Sequence, residues 1–441
     1  MNPKDLLAGA IRAHEGGRLR EAAQLYRQVL GFDPNNADAL SNLALATGQM
    51  AQFAEAETML RALIGRMPRH AGAHVNLALI LQQQKKFDEA IVCCEEGLKA
   101  VGDTRSRQKL QNTLALSLIG KERFDEALAL LGRMIAAHPG FAGGHNLMGT
   151  AYTRLGRVED AVRAFNHATR LDPSDYGSFV AAGECLLVHG RAEEALAQLD
   201  KALRIKGWEV RALALRTLAL AGLGRKDDER WQSDPQRLVQ CHRFAELGYS
   251  SQQIQKINGT LSAFASSEPS LREDPPEYAT RKAWHSTTNL AELDNPALDD
   301  LKKFIDFAFQ QRKENLSQEP PDHPFKKAAP PRYYLDLWAI KMKEGGGKLF
   351  PHIHVDGWLS GVYYVDVPGV VNDPQANGAG WLNIGPSRVD IRLPRAPLIR
   401  SVKPEPGMMI TFPSYFWHDT VPLPQGNAEQ RLCLAFDLNP R

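Results

Sequence analysis

Residues 142–175 read AGGHNLMGTAYTRLGRVEDAVRAFNHATRLDPSD, and their punctuation decides the architecture of the first half of the chain. Gly149 and Tyr152 stand close together, a turn glycine follows at Gly156, and Ala161, Phe165 and Ala168 recur at helical spacing before Pro173. Spacings of three and four put each set on one helix face, so the stretch predicts two helices joined near Gly156. Small side chains let the helices approach closely, the aromatic fills the gap to the next unit, and the proline ends the second helix.

The same frame recurs at a period of 34 residues. Residues 3–36 supply Gly17, Ala22, Tyr26 and Pro34; residues 37–70 supply Ala44, Ala56, Leu60 and Pro68; residues 71–104 carry Ala78, Ala90 and Leu98. A three-residue slip resets the register, after which residues 108–141 give Ala115, Ala127, Leu131 and Pro139. Residues 176–209 give Gly183, Gly190, Ala195, Leu199 and Ala202, and the helix from Val210 to Gly224 reads as a cap. Six units in one frame resemble the tetratricopeptide repeat. The resemblance implies an α-helical solenoid over residues 1–224 whose concave groove takes an extended peptide or protein. A purely structural or dimerising role is the alternative, and the groove residues show no charge clamp that would name a ligand.

Bulk properties bound the rest. A chain of 441 residues exceeds a single hydrophobic core, so two or three domains are expected. With 43% hydrophobic and 24% charged residues it has a globular composition. Its 53 basic and 51 acidic residues leave a formal charge of +2, which makes no electrostatic case for a nucleic-acid or membrane partner. The five cysteines are odd in number and include no CxxC pair, so neither a disulfide framework nor a thiolate zinc site is expected. The N-terminus lacks an apolar signal core and no long apolar run occurs, so the expected location is the cytoplasm.

After Gly224 the helical period fades. The charged stretch at 225–244, beginning RKDDERWQSDPQR, reads as a linker, and residues 245–441 as a second domain. Helical stretches come first, then a proline-bracketed loop at 320–331, then short strands rich in aromatic and branched residues. These strands are Tyr333–Met342, Leu359–Val367, Gly380–Ile384, Met408–Phe412 and Arg431–Leu438. Such a series predicts an antiparallel barrel or sandwich. Metal-binding jelly rolls belong to that class, so histidine placement becomes decisive.

His352, His354 and Asp356 form an HxHxD run just before the Leu359 strand, and His418 follows the Met408–Phe412 strand. In extended chain, residues at i, i+2 and i+4 share a face, so two members of the run and His418 can bind one ion as a facial triad. That geometry leaves positions open for a cosubstrate and dioxygen, as in non-haem iron(II) oxygenases. Arg431, opening the last strand, has the planar fork that a dicarboxylate cosubstrate such as 2-oxoglutarate requires at its far end. A surface ion pair is the plain alternative.

The segments PHIHVDGWLSGVYYV (351–365), GWLNIGP (380–386), PEPGMMITFPSYFWHDTVP (404–422) and RLCLAFDLNP (431–440) resemble the 2-oxoglutarate/iron(II)-dependent oxygenases that often follow tetratricopeptide arrays, as does ATRKAWHSTTNL (279–290) upstream. The resemblance implies a multidomain α + β protein: a helical solenoid followed by a double-stranded β-helix, a jelly-roll or cupin-like domain with flanking helices. It implies iron(II) and the cosubstrate 2-oxoglutarate, with ascorbate as accessory reductant, and an oxidative reaction, hydroxylation above all; the attached array points to a protein or peptide substrate captured in its groove. The family pattern favours His352, His354 and His418 as ligands, whereas the wider superfamily's HxD favours His354, Asp356 and His418; both sets stay open. Arg431 would hold the cosubstrate carboxylate, with Tyr363 aiming its hydroxyl at the same group or else packing in the core. A non-catalytic scaffold with a degenerate barrel and a cupin-like metal enzyme without 2-oxoglutarate are the rival readings.

Overall fold

A computed structural model describes residues 2–50, 52–275, 279–342, 345–426 and 429–441. The chain divides into two compact units, residues 1–178 and 179–441.

The first unit is a series of helix pairs at the expected period. They are α1 (Pro3–Glu15) with α2 (Leu19–Phe32), α3 (Ala37–Gln49) with α4 (Phe53–Arg66), α5 (Ala71–Gln83) with α6 (Phe87–Ala100), α7 (Thr104–Gly120) with α8 (Phe124–Ala137), and α9 (Ala142–Arg154) with α10 (Val158–Leu171). The register slip is absorbed by α7, which has 17 residues where the other first helices of these pairs have 13, about one extra turn. Asp103 caps that longer helix by accepting from the Ser106 amide at 2.8 Å. Ala22, Ala44, Ala56, Ala78, Ala90, Ala115, Ala127 and Ala161, the small positions of the repeat, have no exposed surface. The reason is visible at Gly149, where a Cβ would stand 2.6 Å from the Phe165 ring, so the close helix approach requires glycine there.

The second unit opens inside α11 (Tyr176–Val188), followed by α12 (Ala192–Ile205) and α13 (Val210–Leu223). Gly224 ends α13 in the left-handed conformation at φ 71°. Residues 225–244, expected as a linker, are ordered elements of this unit: α14 (Lys226–Ser233), α15 (Pro235–Leu238) and strand β1 (Gln240–Arg243). Then come α16 (Ser251–Ser266), β2 (Leu271–Glu273), β3 (Thr280–Arg281), β4 (Trp284–Ser286), α17 (Asp299–Asn315), α18 (Pro324–Lys327), β5 (Tyr333–Met342), β6 (Lys348–Leu349), β7 (Leu359–Asp366), β8 (Leu382–Ile384), β9 (Arg400–Val402), β10 (Met408–Pro413), β11 (His418–Thr420) and β12 (Arg431–Pro440).

Seven strands form an antiparallel sheet in the order β1-β10-β7-β12-β5-β4-β2, and β11-β8-β9 form a second sheet, the two layers of a double-stranded β-helix. The strand at 240–243 could not be read from sequence because it is short and at an edge; its pairing with β10 defines it. β7 is buried along nearly its whole length. One face packs under α16 and α17, where Tyr363 meets Phe244 and Phe304, and the other faces the interior. The last helical elements pack on this domain. Trp208 lies 5.6 Å from Tyr415 and 6.2 Å from Phe325 between ring centroids, the Tyr415 hydroxyl donates to the Gln232 carbonyl, and the Leu398 amide donates to Glu229 at 2.6 Å. Among the described residues, no helix is long and apolar enough to cross a membrane.

Candidate metal centre

The site is assembled by main chain before any side chain acts. Between β6 and β7, the His352 amide donates to the His418 carbonyl and the His418 amide to the His352 carbonyl, each at 3.1 Å. Two residues on, the His354 amide donates to the Ser414 carbonyl at 3.2 Å. Alternation along this extended stretch turns both imidazoles towards His418. One ring nitrogen from each of His352, His354 and His418 lies within 4.8 Å of the other two.

Hydrogen bonds on the far side of each ring set the tautomers. His352 Nδ1 contacts the Phe350 carbonyl at 2.8 Å, His418 Nδ1 the Phe416 carbonyl at 3.1 Å, and His354 Nδ1 an Asp437 carboxylate oxygen at 2.6 Å. Carbonyls and carboxylates only accept, so each Nδ1 carries a hydrogen, and in the neutral ring it is Nε2 that keeps the lone pair a metal takes. Withdrawal from water, reinforced by the neighbouring imidazoles, pushes His352 down to about 3 and His418 well below the usual histidine range. Both are therefore neutral near pH 7.

Asp356 stands apart. The chain turns at 355–356 before β7 begins, the Gly357 amide reaching back to the His354 carbonyl, so the i, i+2, i+4 alternation breaks and this carboxylate is exposed. The carboxylate beside the cluster is Asp437, far away in sequence on β12.

Arg431 is fully buried at the start of β12. Its Nη2 is 3.5 Å from the Tyr364 hydroxyl and its Nη1 3.7 Å from the Met342 sulfur, while Nε has no partner among the described residues. Among the described residues no carboxylate pairs with it. A buried guanidinium with an orphaned donor is costly unless an anion completes it, so the residue fits a carboxylate ligand. Burial raises Tyr364 to about 12, keeping its hydroxyl protonated and able to donate. Tyr363, for which the sequence left both a cosubstrate contact and a core position open, points to the other face, where its hydroxyl donates to Asn258 Oδ1 of α16 at 2.5 Å. Parity is the reason: successive strand residues face opposite sides, and Tyr364 is the tyrosine that shares a side with Arg431.

Sequence reasoning passed over three further neighbours. Trp338 lies 5.5 Å from the His354 ring and stacks on His285 at 5.9 Å. His285 is buried, and burial, reinforced by His354, lowers it to about 4. Ser360 donates to Asp437 at 2.6 Å. The signal for Asp437 was present: it is the one acid in the apolar run RLCLAFDL.

A two-layered antiparallel sheet gathers three imidazoles whose ring nitrogens could hold one metal ion, with a buried cation at the start of its last strand, the arrangement of a double-stranded β-helix. Residues 336–437 match the family model described as "Putative 2OG-Fe(II) oxygenase", and residues 13–50, 49–114, 112–176 and 146–207 match tetratricopeptide-repeat models. The chain thus carries a tetratricopeptide array followed by a 2OG-Fe(II) oxygenase-type domain. Among solved structures it is similar to a tetratricopeptide repeat protein from Parabacteroides merdae, at 15% identity over 52% of this chain and 88% of that one with a TM-score of 0.40. It is also similar to TTC0263, a thermophilic TPR protein from Thermus thermophilus, at 23% identity over 50% and 99% with a TM-score of 0.32. No curated protein matches the chain.

Proposed function

We propose that the protein is a non-haem iron(II), 2-oxoglutarate-dependent oxygenase, a hydroxylase whose protein or peptide substrate is recruited by the repeat array. The observation that carries this reading is the convergence of His352, His354 and His418 with their lone pairs free for one ion. Imidazole donors suit iron among other transition metals, and the family match supports iron from that group. When bound, iron(II) with 2-oxoglutarate supplies the oxidising chemistry, inserting one atom of dioxygen into a substrate C–H bond as the cosubstrate becomes succinate and carbon dioxide.

The chain's own residues hold and orient. The three histidines would bind the metal, their Nδ1–H groups fixed by Phe350, Phe416 and Asp437 so that little reorganisation is needed. Arg431 would clamp the distal carboxylate, with the Tyr364 hydroxyl as an additional donor. The apolar walls from Ile340, Met342 and Phe412 exclude water from that interior. The recruiting role of the array rests on its repeat architecture, which stacks helices into an extended surface suited to peptides.

The test is succinate release from 2-oxoglutarate with added iron and ascorbate. Wild type should turn over and His418→Ala should not; equal turnover by the variant would reject the triad. A second reading, a cupin-like metal enzyme without 2-oxoglutarate, is favoured by the all-histidine donor set. Metal binding with no succinate under any substrate condition would select it.

A further inference from the structure

The three imidazoles bring no negative charge to the ion, and the acid in the neighbouring motif, Asp356, is exposed in a turn. One carboxylate nevertheless reaches the cluster from outside it. We infer that Asp437 is a positioning residue of the metal centre, restoring through His354 the anionic charge that the ligand set itself lacks. This inference rests on the metal-binding reading of His352, His354 and His418.

Several observations converge on it. Asp437 Oδ1 accepts from His354 Nδ1 at 2.6 Å and from the Ser360 hydroxyl at 2.6 Å. Ser360 lies directly opposite Asp437 across the β7–β12 ladder. Ser360 and Ser414 oxygens are 2.8 Å apart. A carboxylate cannot donate, so the Ser360 hydrogen goes to Asp437 and Ser414 must donate to Ser360. The result is a directed relay, Ser414 to Ser360 to Asp437, with His354 donating from the other side. Ser414 also supplies the carbonyl that holds the His354 amide, so both ends of the relay return to the same short stretch after β10. Gly357 leaves room for it: a Cβ there would sit 3.5 Å from Asp437 Oδ1 and still closer to the Ser414 side chain.

Chemically, three neutral ligands leave the full dicationic charge on the ion. A histidine donating to a carboxylate becomes a stronger base at its other nitrogen and cannot adopt the wrong tautomer. Asp437 therefore contributes electrostatically without occupying a coordination position, which leaves three positions for cosubstrate and oxygen.

The experiment uses the full-length apoprotein titrated anaerobically with Co(II), read by its visible d–d absorption. Wild type should bind, and His418→Ala should lose binding. Asp437→Asn, nearly isosteric, should bind between about 10- and 100-fold more weakly with shifted bands while its metal-free thermal unfolding stays near wild type. Ser360→Ala should weaken binding in the same direction by a smaller factor. Unchanged affinity and bands in Asp437→Asn would overturn the inference while leaving the metal site intact. Should Asp437→Asn fail to fold, an unchanged affinity in Ser360→Ala overturns it instead. Absence of Co(II) absorption in wild type is the distinct outcome that removes the metal-binding reading, and this inference with it.

Discussion

His352 and His418 face one another as an isolated antiparallel pair, each main-chain amide donating to the other's carbonyl at 3.1 Å. Because backbone holds the pair, the imidazoles are free to serve a ligand. His352→Ala should therefore keep the fold, with metal-free unfolding close to wild type, yet bind Co(II) at least ~100-fold more weakly, since a direct ligand is lost rather than an outer partner. Calorimetric titration checks this. A variant that unfolds but binds metal normally when folded would mean the side chain is structural.

Arg431 should govern the cosubstrate alone. A charge-assisted pair is worth about 1.5–3 kcal/mol, so Arg431→Ala should raise the KM for 2-oxoglutarate roughly 10- to 100-fold, with Co(II) affinity unchanged. An unaltered KM in a succinate assay would assign the buried guanidinium to structure.

The adjacent tyrosines should separate cleanly. Tyr364→Phe removes the hydroxyl beside Arg431 and should raise that KM several-fold with little loss of stability. Tyr363→Phe strands Asn258 Oδ1 in a buried setting, costing about 1–3 kcal/mol of stability with KM intact. Urea unfolding and steady-state kinetics on both variants decide the parity.

His242 on β1 gives a pH dependence. It is buried, with Arg312 nearby, and its pKa falls from 6.5 to about 4, burial being the larger cause. The unfolded chain thus takes up a proton below pH 6.5 that the folded chain refuses until about pH 4. The stabilisation is complete above pH 6.5 and is lost as pH falls through that window, reaching about 2 kcal/mol at pH 5. Urea midpoints at pH 7.5 and pH 5 should differ less in His242→Gln than in wild type; equal differences would show that this ring is not responsible.

In the repeat array, Phe165 fills the space that Gly149 leaves. Phe165→Ala should cost about 3–5 kcal/mol by opening a cavity there. Thermal unfolding should register the loss, while Co(II) affinity at the three histidines should not move.

What could be read from sequence was whatever depends on local spacing. Gly149, Phe165 and Pro173 announce their helix pair within one repeat, and the apolar strands that became β5, β7, β10 and β12 announce themselves by composition. His354 and His418 followed from asking where a jelly roll would put ligands. What failed was set by turns and by distant chain. Asp356 looked equivalent to its neighbours only if the strand ran on, and a turn intervenes. Tyr363 and Tyr364 are indistinguishable until a sheet face is assigned. Asp437 and His285 acquire meaning from His354, which no short-range pattern links to either. The stretch at 225–244 looked like a tether because charges dominate it, yet β1 is completed by hydrogen bonds from β10.

The seam between the compact units falls at Ser178, inside the solenoid, rather than where the repeats stop. Tyr415 leans on the Gln232 carbonyl and Leu398 on Glu229, so α14, together with Trp208 after α12, acts as flooring for the oxygenase-type domain. Excising that domain at residue 245 would strip away its foundation and bare Trp208's neighbours Phe325 and Tyr415 to water. Grafting a different recognition array onto it should succeed only when the splice lies upstream of α11, with the last repeat travelling alongside the barrel as one heritable piece.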